Sequence, residues 1–212
     1  MIEVILSAVA VPPVGTGGGL DVGRGAIAGA LIVGAAFLAG QAVLRRSVLA
    51  GFAFAMLAFA GAYCLSAMGL LGEAGARTTL LFLCLFGASA LLFVSSAIRP
   101  VRTSGLLSGA MFTGALTLGG IGVFTVFSPA DMSGIVRTSM ILTAAASAGF
   151  AALFLRSDQG ARILLPGVAI ASLAPLVAFA TGGGFSLAAF AVFAVGVISS
   201  SLVAMIEGAS GR

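Results

Sequence analysis

The sequence predicts an all-α protein, a polytopic bundle of transmembrane helices with seven spans, its N-terminus outside and its C-terminus inside. Composition is the first reason. Of 212 residues, 60% are apolar and 8% charged, against about 45–50% and about 25% in soluble globular chains. The second reason is residues 78–98, TTLLFLCLFGASALLFVSSAI, twenty-one positions without a charge between Arg77 and the pair Arg99 and Arg102. A helix of that length rises roughly 30 Å, the thickness of a bilayer's hydrocarbon core. The third is that six other stretches read the same way, with every charged residue falling between them.

The first 24 residues read as a short non-cytoplasmic tail. The apolar run from Val4 to Val11 is too short for a span, and Glu3 stands where a signal peptide carries a basic residue. Pro12, Pro13 and the glycines at 15, 17, 18 and 19 argue against a helix continuing from the tail into the first span. The transmembrane domain covers 25–206. Its spans are read at about 25–44, 47–71, 78–98, 104–127, 138–155, 163–181 and 185–206, from uninterrupted apolar length. Residues 207–212 form a short cytoplasmic tail. No separate soluble domain is expected in this chain.

The arginines set the orientation. With the N-terminus outside, the inner loops and tail hold Arg45, Arg46, Arg99, Arg102, Arg156, Arg162 and Arg212, while the outer segments hold Arg24, Arg77 and Arg137. Seven against three follows the positive-inside rule. These single and paired arginines at helix ends account for the net charge of +4 without any nucleic-acid partner.

Small residues recur every four positions: Gly105, Gly109, Thr113 and Thr117 in the fourth span, Ala58, Ala62 and Ser66 in the second, Gly196, Ser200 and Ala204 in the seventh. Residues four apart share a helix face, and small ones let helix backbones approach closely in lipid. Two readings of the Thr113–Thr117 stripe follow, a narrow polar path or tight packing with each threonine bonded to its own backbone. Tyr63, the single tyrosine, reads as a ligand contact or as an ordinary interhelical hydroxyl. Pro166 and Pro175 should kink or open the sixth span, as helices bordering a cavity often are. Gln41 is expected to reach the interface. Cys64 and Cys84 fall at similar depth in adjacent spans, either as a bridge or, by default, as small buried hydrophobes. Arg77-Thr78-Thr79 and Arg137-Thr138-Ser139 open two spans sixty residues apart, a weak internal repeat.

The missing residue types say more. There is no histidine and, since all ten basic residues are arginine, no lysine. His-ligated metal or haem, Ser–His catalysis, a retinal Schiff base and lysine-dependent phosphate loops are therefore excluded. No Asp, Glu or Arg falls inside the spans as drawn, which disfavours proton-coupled pumps. The expectation is a non-enzyme without metal or cofactor. It would be a seven-helix sensory, signalling or scaffolding module acting through membrane or cytoplasmic proteins or by self-association. The contacts with partner or lipid would come from Arg45, Arg46, Arg99, Arg102, Arg156 and Arg162. The alternative is a small permease or channel for a neutral or lipophilic solute, lined by Tyr63, Thr113, Thr117, Pro166 and Pro175. Abundant arginine, alanine and glycine without lysine suggest a bacterial inner membrane.

Overall fold

The computed structural model describes residues 18–68, 75–128, 131–180 and 187–209. Over these residues it is 92% helical and has no strand. Among the described residues eight helices follow one another: α1 (Gly18–Arg45), α2 (Val48–Ala67), α3 (Gly75–Ala97), α4 (Arg99–Thr103), α5 (Gly105–Phe127), α6 (Ser133–Leu153), α7 (Gln159–Ala180) and α8 (Leu187–Ala209). Among the described residues five segments are long and apolar enough to cross a membrane: Val22–Arg45, Val48–Ala67, Thr78–Ala97, Gly105–Phe127 and Ser133–Leu153. Helices α7 and α8 contribute shorter apolar segments, Gln159–Ala171 and Ala191–Ile206.

Capping sets several of the helix ends. Ser47 accepts from the Ala50 amide and starts α2, and Ser104 accepts from the Leu107 amide and starts α5. Each satisfies one of the amide donors that a helix N-terminus leaves open. Pro100 sits in the first turn of α4, where it gives up no helical hydrogen bond. Arg46, between α1 and α2, has φ of 50°, a left-handed conformation that glycine usually fills.

Two helices start earlier than their apolar runs imply. The glycines at 18 and 19 do not delay α1, which begins at Gly18 and takes in Asp21 and Arg24. A glycine costs a helix about 1 kcal/mol, less than an unpaired backbone group costs in an apolar medium. In the same way α6 begins at Ser133 and takes in Arg137. The spans therefore are not free of arginine: Val22–Arg45 and Ser133–Leu153 each hold one near their start. No Asp or Glu falls in any of the five.

The 78–98 stretch is the centre of the bundle. In α3, 61% of its apolar window is buried, against 50% in α2 and 22% in α1 and α6. Helix α3 packs along α2 and α5 and also touches α6 and α7. Phe93 from its C-terminal half, with Ile98 just beyond its end, meets a core that includes Leu31 and Leu38 of α1, Leu57 of α2, Leu164 of α7 and Val197 of α8. Helix α8 packs on α7 and reaches α1 and α2. Helix α6 is held lightly, touching α3 and α7 more than its chain neighbour α5. The suggested repeat is thus not matched in packing, since α3 is central and α6 peripheral.

The α7–α8 seam is closely packed. A Cβ on Gly167 would lie 2.5 Å from the Ser200 amide nitrogen, and one on Gly196 would lie 2.6 Å from the Ala171 Cα. The Gly196–Ser200–Ala204 stripe is buried here, as close helix contact requires. Cys64 and Cys84 are both free and buried. Cys84 turns its Cβ towards Gly122 of α5, so the thiols act as small packing groups and not as a bridge.

Candidate functional site

Two groups of polar side chains lie at opposite ends of the helices. The first is built by the links that follow α1, α3 and α6. Asp158 precedes α7, and its Oδ1 accepts from the Ala161 amide at 2.9 Å, capping that helix. Its Oδ2 accepts from the Arg99 amide at 3.2 Å, fifty-nine residues away, at the start of α4. One buried carboxylate thus joins two helix N-termini, where the aligned peptide dipoles favour negative charge. Gly160 allows this approach, because a Cβ there would strike the Ala97 carbonyl. Arg162 closes the adjoining end of α6: its Nε donates to the Leu155 carbonyl at 2.9 Å and its Nη2 to the Arg156 carbonyl at 2.8 Å.

Of the arginines read as partner or lipid contacts, Arg99, Arg102, Arg156 and Arg162 are brought to this one end through the Asp158 contact. Arg45 and Arg46 join them, because α1, α2 and α3 run antiparallel in turn: Gly34 faces Leu57, and Ser66 meets Thr79. All six are exposed. Five leave their guanidinium groups to the surroundings, while that of Arg162 is engaged with the Leu155 and Arg156 carbonyls of the α6–α7 link.

The second group lies at the other end of α2, α3 and α6. Ser66 Oγ is 2.7 Å from Thr79 Oγ1 and 3.3 Å from Thr78 Oγ1, which ties α2 to α3. Tyr63, one turn back from Ser66, is buried with its ring edge-on to Phe193 of α8, at a centroid distance of 6.2 Å. Arg137 of α6 is near enough for its charge to act on Tyr63. Arg137 is half-buried, and its Nε and Nη1 are shielded from solvent with no hydrogen-bond acceptor among the described residues. Asp131 is the nearby acid, but its Oδ1 accepts from the Ser133 amide at 2.9 Å. That bond, with the Arg137 charge acting in the same sense, holds the exposed Asp131 carboxyl below the usual carboxylate range. The stability it contributes is present above about pH 4 and is lost as pH falls through the lowered folded-state value. Asp131→Asn should therefore lower stability slightly in the neutral region and, having no carboxyl to protonate, flatten the acid limb of a thermal-unfolding profile below about pH 4.

The residues read as a path are not brought together. Thr113 and Thr117 are exposed on α5, along with Gly105 and Gly109. Their hydroxyls donate to the Gly109 and Thr113 carbonyls, each at 2.9 Å. The stripe faces outward with its hydroxyls already used. It lines no interior channel with Tyr63, which is buried against α8. Pro166 is exposed on α7, and α7 stays helical through both Pro166 and Pro175. Thr113→Leu and Thr117→Leu should leave thermal stability within about 0.5 kcal/mol, the range of surface substitutions, and should not alter solute flux in reconstituted vesicles. Gln41 does not reach the interface through its carbonyl: Oε1 is buried without a donor, and nothing in the structure explains its retention.

Two residues of these clusters escape a reading of the sequence. Asp158 looks like one charge in a polar loop, although an acid directly before a helical run is a capping signal. Arg137 looks like a loop charge because the apolar run starts after it. Asp131 and Ser133, which nucleate α6 before that run, were the available sign. Among the described residues no group of three or more metal-ligating side chains is present. No family model matches the chain, and neither a curated protein nor a solved structure does.

Proposed function

We propose that the chain is a seven-helix integral membrane module, N-terminus outside and C-terminus inside, that works through a protein partner at its arginine-rich end and performs no chemistry of its own. The observation that carries this reading is the Asp158 junction. It sets the α3–α5 and α6–α7 links side by side with Arg99, Arg102 and Arg156 exposed around it. A fixed cluster of like charge suits an acidic protein surface better than scattered loop charges do. The grouping of Arg45, Arg46, Arg99, Arg102, Arg156 and Arg162 at one end supports the cytoplasmic assignment of that end under the positive-inside rule. Arginine at position 46, where the backbone favours glycine, supports a use for charge there. A bacterial inner membrane is the setting we propose from composition.

The interior supports a module of this kind over a free-standing permease. It is closed by fully buried Leu, Val and Phe side chains, and the α5 hydroxyls face away from it. In-membrane cross-linking from photoreactive residues at Arg102 and Arg156 tests the reading. The expected result is capture of a second protein at these positions, reduced several-fold by Arg99→Glu with Arg102→Glu. Cross-links only between copies of this chain, unaffected by charge reversal, would contradict it and move the weight to solute flux.

A further inference from the structure

The arginine-rich end accounts for most of the arginines, but not for Arg137 at the other end of the helices. This side chain lies one turn inside α6, about 6 Å along the axis from Ser133. That is the first turn of the Ser133–Leu153 span, where arginine side chains reach the interface that lipid headgroups occupy. Two of its nitrogens are buried, and none of the described residues accepts from them. A buried, unanswered charged donor is costly and is usually paired. Among the described residues the acid near it is Asp131, which spends one oxygen on the Ser133 amide and forms no ion pair with Arg137 within 4.0 Å. Helix α6 itself is held lightly, with 22% of its apolar window buried.

The geometry points to Arg137 as the anchor of an oxyanion site at the start of α6, where a phosphate from a lipid headgroup or from a free anion completes the guanidinium's hydrogen bonds. The site goes beyond the partner reading, since it lies at the opposite end and needs no protein to fill it. Arginine suits the task because its donors are fixed in a plane and its charge does not titrate away. A charge-assisted hydrogen bond of this type changes affinity by about tenfold.

The test uses the full chain in three settings: phosphate-free maltoside micelles, the same micelles with phosphatidylglycerol, and the same micelles with excess inorganic phosphate. Wild type, Arg137→Gln and Arg137→Lys are compared by thermal unfolding and by mass spectrometry of retained lipid. In maltoside alone Arg137→Gln should be at least as stable as wild type, because it removes unanswered donors. With an anion present the order should reverse, wild type gaining where the variant does not, and Arg137→Lys should recover part of the gain. A gain with phosphatidylglycerol only, with about tenfold preferential retention, identifies a lipid headgroup. A gain with inorganic phosphate as well identifies a free anion. Equal responses of wild type and Arg137→Gln to both anions would overturn the site, and a loss of stability in Arg137→Gln in all three settings would make the arginine structural.

Discussion

Gly196→Ala should separate α7 from α8 and lower the stability of the protein by about 1–3 kcal/mol, the usual cost of forcing atoms into a packed seam. The added methyl meets backbone, the Cα of Ala171 at 2.6 Å, and no flexible side chain is there to yield. Gly167→Ala should behave alike, since its methyl meets the Ser200 nitrogen at 2.5 Å. Once one substitution has pushed the helices apart the second costs less, so the double variant should fall short of the sum. Gly109→Ala on α5 is the comparison: nothing lies within 4 Å of its Cβ position. There the change should raise stability by about 0.5–1 kcal/mol, because alanine loses less backbone freedom than glycine in a helix. Thermal unfolding in one detergent or lipid would show the opposite signs directly. A Gly196→Ala variant as stable as Gly109→Ala would mean that the α7–α8 seam is not close-packed.

Asp158→Ala should cost about 2–4 kcal/mol, from the lost α7 cap together with the Arg99 amide left without an acceptor. Both amides lie close to the one carboxylate, at 2.9 and 3.2 Å, and the aspartate is 9% exposed, so water replaces it poorly. Asp158→Asn should recover about half of the loss, because asparagine caps helices well but offers one oxygen where two are used. The variant also separates stability from function. If the junction holds the arginines in register, Asp158→Ala should weaken partner capture at Arg102 while Arg102 itself is unchanged. Amide exchange at Arg99 would locate the damage. Slow exchange there in Asp158→Ala would show that another group holds α4 in place.

Much of the architecture was legible because lipid imposes a simple length rule. Five of the seven apolar runs are described helices long and apolar enough to cross a membrane, the last two runs falling in α7 and α8 with shorter apolar segments, and the 78–98 stretch is the most buried of the five. Four-residue spacing identified the Gly196–Ser200–Ala204 seam correctly. The same spacing misled for Gly109–Thr113–Thr117, which turns outward: periodicity names a face but does not say what the face meets. Helix starts were the weak point. Arg24 and Arg137 were placed outside the spans because apolar length ignores the turn that polar and glycine residues add at an N-terminus. The Asp158–Arg99 contact joins residues fifty-nine apart in sequence, and no local pattern encodes such a pairing. The tail up to residue 17, the turn at 182–184 and residues 210–212 lie outside the described residues.

The account rests on the arginine-rich end facing the cytoplasm, opposite to Asp131, and cysteine labelling in membranes tests this most directly. On a background with Cys64 and Cys84 replaced by alanine, single cysteines at Arg46, Arg102, Ser157 and Asp131 would be treated with a membrane-impermeant maleimide. In intact cells the label should reach position 131 alone, and in inverted vesicles positions 46, 102 and 157. Labelling of position 102 or 157 from the outside, or of position 131 together with them from one side, would contradict the seven-span orientation and the partner surface built on it.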